Sequence, residues 1–312
     1  MSTEKRPVIL DCDPGIDDAV AILLAARAPE LDLRAVTAVA GNVDLEHTSR
    51  NARRVLTLAG VEAPVCAGAA GPLFGPTVTA GEVHGADGLL GLPVPEPAFP
   101  LSPEPAWDAL YREARAWDGA LEVVATGPLT NLGVALAKYA DLPRYLRRIV
   151  LMGGATAFGN TTPAAEFNIY ADPEAAGMVF RSGIPVVMCG LDVTHRAYLT
   201  HADIDRVEAL GTPQARFAAD TMRCGVAQHE RFLVPGAPMH DPCAMLYALE
   251  PALFTTLRCW VGVECHGTIT RGRTVTDAYS DAKREPNTEL VTDVDREPFV
   301  DALTARLAVY SG

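Results

Sequence analysis

Four carboxylates fall within eight residues near the start of the chain, in the run Asp11-Cys12-Asp13-Pro14-Gly15-Ile16-Asp17-Asp18. Part of this run has a plain structural use. Pro14-Gly15 suits a turn, and an aspartate such as Asp17 at a helix start caps backbone N–H groups and meets the positive end of the helix dipole. Capping occupies only one or two of the acids. Three carboxylates crowded at a partly desolvated site repel one another by several kcal/mol, about 4 kcal/mol for a pair 4 Å apart at an effective dielectric of about 20. A bound cation removes that cost, and oxygen-only ligands suit a hard ion, Ca2+ or Mg2+.

Two further stretches carry polar chemistry. His240-Asp241-Pro242 precedes an apolar helical stretch over 244–249. On its own such a pair is more often a helix cap with a neighbouring histidine. Glu166-Phe167-Asn168-Ile169-Tyr170-Ala171-Asp172-Pro173, with Asn160 upstream, supplies a carboxylate and amides of the kind that bind several hydroxyls, although a turn would use the same residues.

The elements that must position these groups are legible from periodicity. Short β-branched runs at 8–11, 35–40, 121–126, 149–152 and 186–189 predict buried strands. Segments 17–27, 46–58, 130–139 and 173–181 carry apolar residues at three- and four-residue spacing and predict helices between them. This alternation predicts an α/β fold with a mainly parallel central sheet covered by helices on both faces. The polar groups Asp13-Pro14-Gly15, Gly41-Asn42, Thr126-Gly127-Pro128, Gly153-Gly154 and Gly190-Leu191-Asp192 all fall at strand C-termini, the edge where open parallel sheets bind ligands. Residues 71–105, rich in Gly and Pro and carrying His84 in their midst, predict a long loop over that edge. Segments 257–265 and 290–294 predict additional strands, and 296–310 a closing helix. With no linker composition anywhere, residues 1–312 are expected to form a single domain.

Composition narrows the class of function. Half the residues are hydrophobic and about a fifth charged, which marks a folded globule. Twenty-six basic against 39 acidic residues give a net charge of −13, so polyanions are repelled and neither nucleic acid nor an anionic membrane surface is an expected partner. No apolar run approaches the ~20 residues that span a bilayer. Residues 1–6 are polar and lack the features of a secretory signal, and the seven cysteines are odd in number without a C-x-x-C pair. A cytoplasmic enzyme with reduced thiols is the expectation.

Together the motifs resemble the inosine-uridine nucleoside hydrolase family over nearly the whole chain. The resemblance rests on the aspartate-rich opening at 11–18, Gly41-Asn42, Thr126-Gly127-Pro128-Leu129-Thr130-Asn131, Met152-Gly153-Gly154, Ala165-Glu166-Phe167-Asn168 and His240-Asp241-Pro242-Cys243. The segments Trp260-Val261-Gly262-Val263-Glu264 and Val294-Asp295-Arg296 further resemble the pyrimidine-specific branch. The resemblance implies the nucleoside hydrolase fold and cleavage of the N-glycosidic bond of ribonucleosides, uridine and cytidine being preferred, with a purine/pyrimidine-nonspecific or inosine-preferring hydrolase as the alternative. It implies that Asp13, Asp18 and Asp241 hold a Ca2+ ion with the backbone carbonyl of Thr126. Asp17 and Asn42 would hold the 2′- and 3′-hydroxyls, and Asn160, Glu166 and Asn168 the rest of the sugar. Met152 would pack beside the ribose.

On the same grounds Asp13 would take a proton from calcium-bound water as it attacks C1′, and His240 would help the base leave. His84 would also face the base. Gln228 falls where pyrimidine-specific members carry a base-contacting glutamine. Phe232 stands where some of them have tyrosine, which removes one hydroxyl but keeps a ring. A homodimer or homotetramer is expected by the same resemblance. A haloacid-dehalogenase-type phosphatase also places an Asp-x-Asp pair after its first strand, but the Gly15-Ile16-Asp17-Asp18 continuation differs from that pattern. A non-catalytic nucleoside-binding module would have no use for a proton acceptor beside the metal.

Overall fold

The computed structural model describes residues 5–229, 234–281 and 283–311. The first half comprises β1 (Arg6–Cys12), α1 (Ile16–Ala26), β2 (Leu31–Ala38), α2 (Leu45–Ala59), β3 (Val65–Ala67), α3 (Gly81–His84), α4 (Ala106–Trp117), β4 (Leu121–Ala125), α5 (Thr130–Lys138) and β5 (Leu146–Met152). There follow α6 (Phe167–Ala171), α7 (Pro173–Arg181), β6 (Val186–Cys189), α8 (Leu191–Thr194), β7 (Tyr198–Leu199), α9 (His201–Glu208), α10 (Pro213–His229) and β8 (Ala237–Pro238). The chain ends with α11 (His240–Leu249), β9 (Phe254–Val263), β10 (Thr274–Asp277), β11 (Thr288–Val294) and α12 (Arg296–Leu307). The helix expected to reach residue 310 passes into a 3-10 turn after Leu307.

Among the described residues nine strands form one sheet in the order β10-β9-β11-β6-β5-β4-β1-β2-β3. Neighbours from β3 to β11 pair in parallel, and β9 runs against β11 and β10. Both faces are covered. Along β1, Val8, Leu10 and Cys12 enter one core with α1, α2 and α11, while Ile9 enters the other with α4, α5 and α7. β5 alternates in the same way, Val150 and Met152 on the first side and Ile149 and Leu151 on the second. This period of two is what a strand buried on both faces requires. Emptying such a site, for example Leu10→Ala, removes about 2–5 kcal/mol.

Strand order reverses between β1 and β4, which are paired neighbours whose onward connections run to opposite sides of the sheet. A crevice opens at such a reversal, outside the strand C-termini. Asp13 follows β1 and Thr126 follows β4.

Candidate active site

The loop after β1 is built to hold its carboxylates in place. Asp18 Oδ2 accepts the backbone N–H of Gly15 at 3.0 Å, so Asp18 rather than Asp17 closes the start of α1. The same oxygen accepts Asn42 Nδ2 at 3.1 Å, and Oδ1 accepts the Thr126 hydroxyl at 2.8 Å. Asp13 Oδ2 accepts the Asn42 N–H at 2.7 Å, and the Asp13 carbonyl accepts Asn42 Nδ2 at 3.1 Å. Asn42 thus ties the loop after β2 to both aspartates. Gly41 and Gly127 flank Asp13 so closely that a Cβ would stand 2.1 Å from Oδ2 and 2.6 Å from Oδ1 respectively. Only glycine allows that approach.

Asp17, Asp18 and Asp241 bring one carboxylate oxygen each within 4.8 Å of one another, the first two from α1 and the third from the start of α11. Asp241 is buried and its carboxyl is pushed well above the usual range, by loss of solvent first and then by the charges of Asp17, Asp18 and Asp13. Burial and the neighbouring Asp18 raise Asp13 in the same way. Burial, aided by Asp17, pushes Asp18 to about 6. This is the signature of acids held together for something positive. Asp13 Oδ1 is buried without a hydrogen-bond partner, as is Oδ2 of Asp11. The oxygen-only group of Asp17, Asp18 and Asp241, with the unsatisfied Oδ1 of Asp13 beside it, fits a hard divalent cation. The group includes Asp17, which the resemblance had placed on the sugar.

A cavity of about 350 Å³ opens over these acids, large enough for a nucleoside. Asp17, Asn42, Thr126, Met152 and Asp241 line it on the acidic side. Asp13 and Asp18 are buried behind that wall, bonded to Asn42. The loop after β5 and the start of α6 bring Asn160, Glu166 and Asn168 to the same cavity. Asn168 Nδ2 donates to the Thr126 carbonyl at 2.7 Å and to the Met152 carbonyl at 3.1 Å, which fixes the amide between β4 and β5. The Thr126 carbonyl has a second lone pair to offer.

Glu166 is buried and accepts three backbone N–H groups, from Gly154 at 2.9 Å, Asn168 at 3.0 Å and Ile169 at 3.2 Å. Burial nevertheless outweighs these bonds and pushes its carboxyl up to about 7. Asn160 Oδ1 accepts the Phe167 N–H at 3.0 Å. His84, at the end of α3 within the expected long loop, takes the Ile16 N–H on Nδ1 at 3.2 Å. His84 and His240 both line the cavity. The side chain of Gln228 and all of Phe232 lie outside the described residues.

Two acids within the sequence motifs, Asp11 and Asp172, support the site in ways their spacing does not show. Asp11 lies beneath the site, where its Oδ1 accepts the Thr37 hydroxyl at 2.5 Å and Asn131 Nδ2 at 2.8 Å. Burial pushes Asp11 up to about 6. Asp172 caps α7 through Ala175 N and holds the Leu73 N–H at 2.8 Å and the Thr130 hydroxyl at 2.7 Å, anchoring the start of the long loop. An Asp-Pro pair before a helix signals the cap, but not the distant partners.

The model of the inosine-uridine preferring nucleoside hydrolases matches residues 8–301. The chain belongs to this family. The pyrimidine-specific ribonucleoside hydrolase RihA of Klebsiella pneumoniae subsp. pneumoniae is 49% identical over 308 residues, covering 98% of this chain and 99% of that protein. Among solved structures, the purine-preferring ribonucleoside hydrolase from Gardnerella vaginalis superposes with a TM-score of 0.92 at 33% identity, covering 98% of this chain and 99% of that one. The plant nucleoside hydrolase PpNRh1 gives 0.91 at 32% identity with the same coverage. This nucleoside hydrolase is accordingly an enzyme that acts on ribonucleosides. Relatives with one fold carry names that differ in the preferred base, so the fold does not decide the base.

Proposed function

We propose that this nucleoside hydrolase cleaves the N-glycosidic bond of pyrimidine ribonucleosides, uridine and cytidine, releasing free base and ribose. The observation that carries this reading is one cavity that gathers Asp17 and Asp241, with Asp13 and Asp18 buried behind them, together with the histidines His84 and His240. The preference for pyrimidines is supported by the name of the RihA relative, which matches at 49% identity along the whole chain.

Asp13, Asp18, Asp241 and the Thr126 carbonyl would hold Ca2+, which when bound orders and acidifies a water molecule beside C1′. Asp13, with its unpartnered Oδ1, takes the proton of the attacking water. Asp17 and Asn42 hold the 2′- and 3′-hydroxyls, while Asn160, Glu166 and Asn168 hold the remainder of the sugar and Met152 packs against it. The carboxylates also favour the positive charge that develops on the ribose ring as the bond to nitrogen lengthens. The electron pair of that bond leaves with the base, which His240 protonates, and His84 faces the base beside it. Assembly as a dimer or tetramer is part of the proposal by resemblance. A cytoplasmic location is supported by the seven cysteines, all of them free.

A reducing-sugar assay on uridine, cytidine, inosine, adenosine and guanosine tests both class and preference. Uridine and cytidine are expected to lead, and Gln228→Ala should lower their kcat/KM more than that of inosine. A tenfold lead for inosine over uridine, about 1.4 kcal/mol, overturns the pyrimidine preference and leaves the hydrolase intact.

A further inference from the structure

α8 is only four residues long, yet its side chains hold two segments that line the cavity. Asp192 accepts the Thr156 N–H at 2.7 Å and the Thr156 hydroxyl at 2.5 Å, which ties down the loop that carries Asn160. Two residues on, Thr194 is fully buried and its Oγ1 lies 2.8 Å from Nδ1 of His240. The next ring in the chain, His195, has its centroid 5.7 Å from that of His240, and Phe158 stands 5.5 Å beyond His195.

An imidazole on a side chain with two rotatable bonds has no fixed plane of its own. One hydrogen bond at Nδ1 fixes the plane and determines which nitrogen serves the ligand. A threonine hydroxyl can donate to that nitrogen or accept from it, so the contact survives either placement of the ring proton. Burial makes the pairing mutual, because a buried hydroxyl without a partner is destabilising.

We propose that Thr194 is a positioning residue that holds the His240 ring through Nδ1 and so commits Nε2 to the departing base. The proposal rests on the reading of His240 as the group that assists the base. In the step concerned the C1′–N bond breaks with its electron pair passing to the base, the proton on Nε2 passes to the base, and the Nδ1 contact with Thr194 Oγ1 persists. The water oxygen bonds to C1′ and its proton passes to Asp13.

The test compares two substrates across three variants of the full, calcium-loaded enzyme. Uridine needs its leaving base protonated, whereas 4-nitrophenyl β-ribofuranoside releases a stable nitrophenolate that needs no proton. Thr194→Val, close to the native shape, should lower kcat on uridine about tenfold, a part of the hundredfold or more attributed to general acid catalysis. It should leave the nitrophenyl substrate within about twofold, and Thr194→Ser should restore most of the uridine rate. His240→Ala supplies the reference and should slow uridine selectively. If His240→Ala is selective and Thr194→Val is not, or if Thr194→Ser is no better than Thr194→Val, the positioning role is wrong. If His240→Ala slows both substrates alike, the role of His240 itself is wrong and the proposal fails with it.

Discussion

Asp13 accepts the backbone N–H of Asn42 at 2.7 Å through Oδ2, while Oδ1 of the same carboxylate is buried without a partner. One half of the group is thus spent on holding two loops together and the other half is left for a ligand. A buried carboxylate oxygen left unsatisfied costs more than a neutral polar atom would, so the arrangement is stable in proportion to what fills it.

Chelation of the protein should therefore abolish turnover and lower Tm, and added Ca2+ should restore both. At a hundredfold excess of ion over Kd the stabilisation is about 2.7 kcal/mol. Thermal melts with and without chelator, read beside the reducing-sugar rate, check it. Unchanged activity in protein verified as metal-free refutes it.

Asp13→Asn keeps the size of the side chain and can keep the Asn42 contact, but it removes charge and basicity. The expected loss is in kcat, at least about hundredfold, with KM little changed. Asp18→Ala removes the partner of Gly15, Asn42 and Thr126 together. Calcium affinity should fall first there, and calorimetric titration with Ca2+ separates the two cases.

Glu166 links stability to pH. Its carboxyl rises from an ordinary 4.5 to about 7 in the folded protein, chiefly through burial. A raised acid favours the folded state while it is neutral, so this contribution is complete below about pH 4.5 and is lost as pH rises through about 7. The swing is on the order of 3 kcal/mol. Glu166→Gln should flatten the fall in stability between these limits, as seen in denaturant titrations of both proteins across that range. Parallel curves for the two would show that Glu166 does not titrate there.

Gly41→Ala is a test of the cradle around Asp13. The added Cβ would stand 2.1 Å from Oδ2, so the carboxylate must move or the loop must open. A loss of about 1–3 kcal/mol is expected, with kcat falling further than stability alone explains. Near-native values of both would mean that the loop yields without disturbing Asp13.

Where a segment's own chemistry sets its conformation, the sequence predicts its limits closely. The strand expected over 186–189 is β6, and the helix expected over 173–181 is α7, opened by its Asp172-Pro173 cap. β3 is three residues long and carries no period. α4 escapes because its buried face is built from Ala106, Ala109, Leu110 and Ala114 with the buried Glu113, which dilutes the apolar signal. Glu113 is tolerated there by its salt bridges to Arg34 and Arg112. In the site, the aspartates and Asn42 stand out because so many carboxylates gather at the ends of neighbouring strands. The Thr194–His240 pair is invisible beforehand, since 46 residues separate two ordinary side chains and only the sheet brings them together. The inclusion of Asp17 with Asp18 and Asp241 depends on side-chain direction on α1, which spacing alone does not supply.

The closing helix has a consequence for the order of events during synthesis. α12 packs on α1, the Tyr310 hydroxyl donates to the Leu23 carbonyl at 2.7 Å, and Arg306 pairs with Glu30. The helix that carries Asp17 and Asp18 is therefore clamped by residues synthesised long after it. At roughly 5–20 residues per second, the opening aspartates wait on the order of tens of seconds for Asp241 and the helix beyond it. Over that interval the nascent chain holds a concentrated negative charge with neither its third carboxylate nor its clamp. The acidic cluster is thus completed late in translation, when α11 brings Asp241 to Asp17 and Asp18.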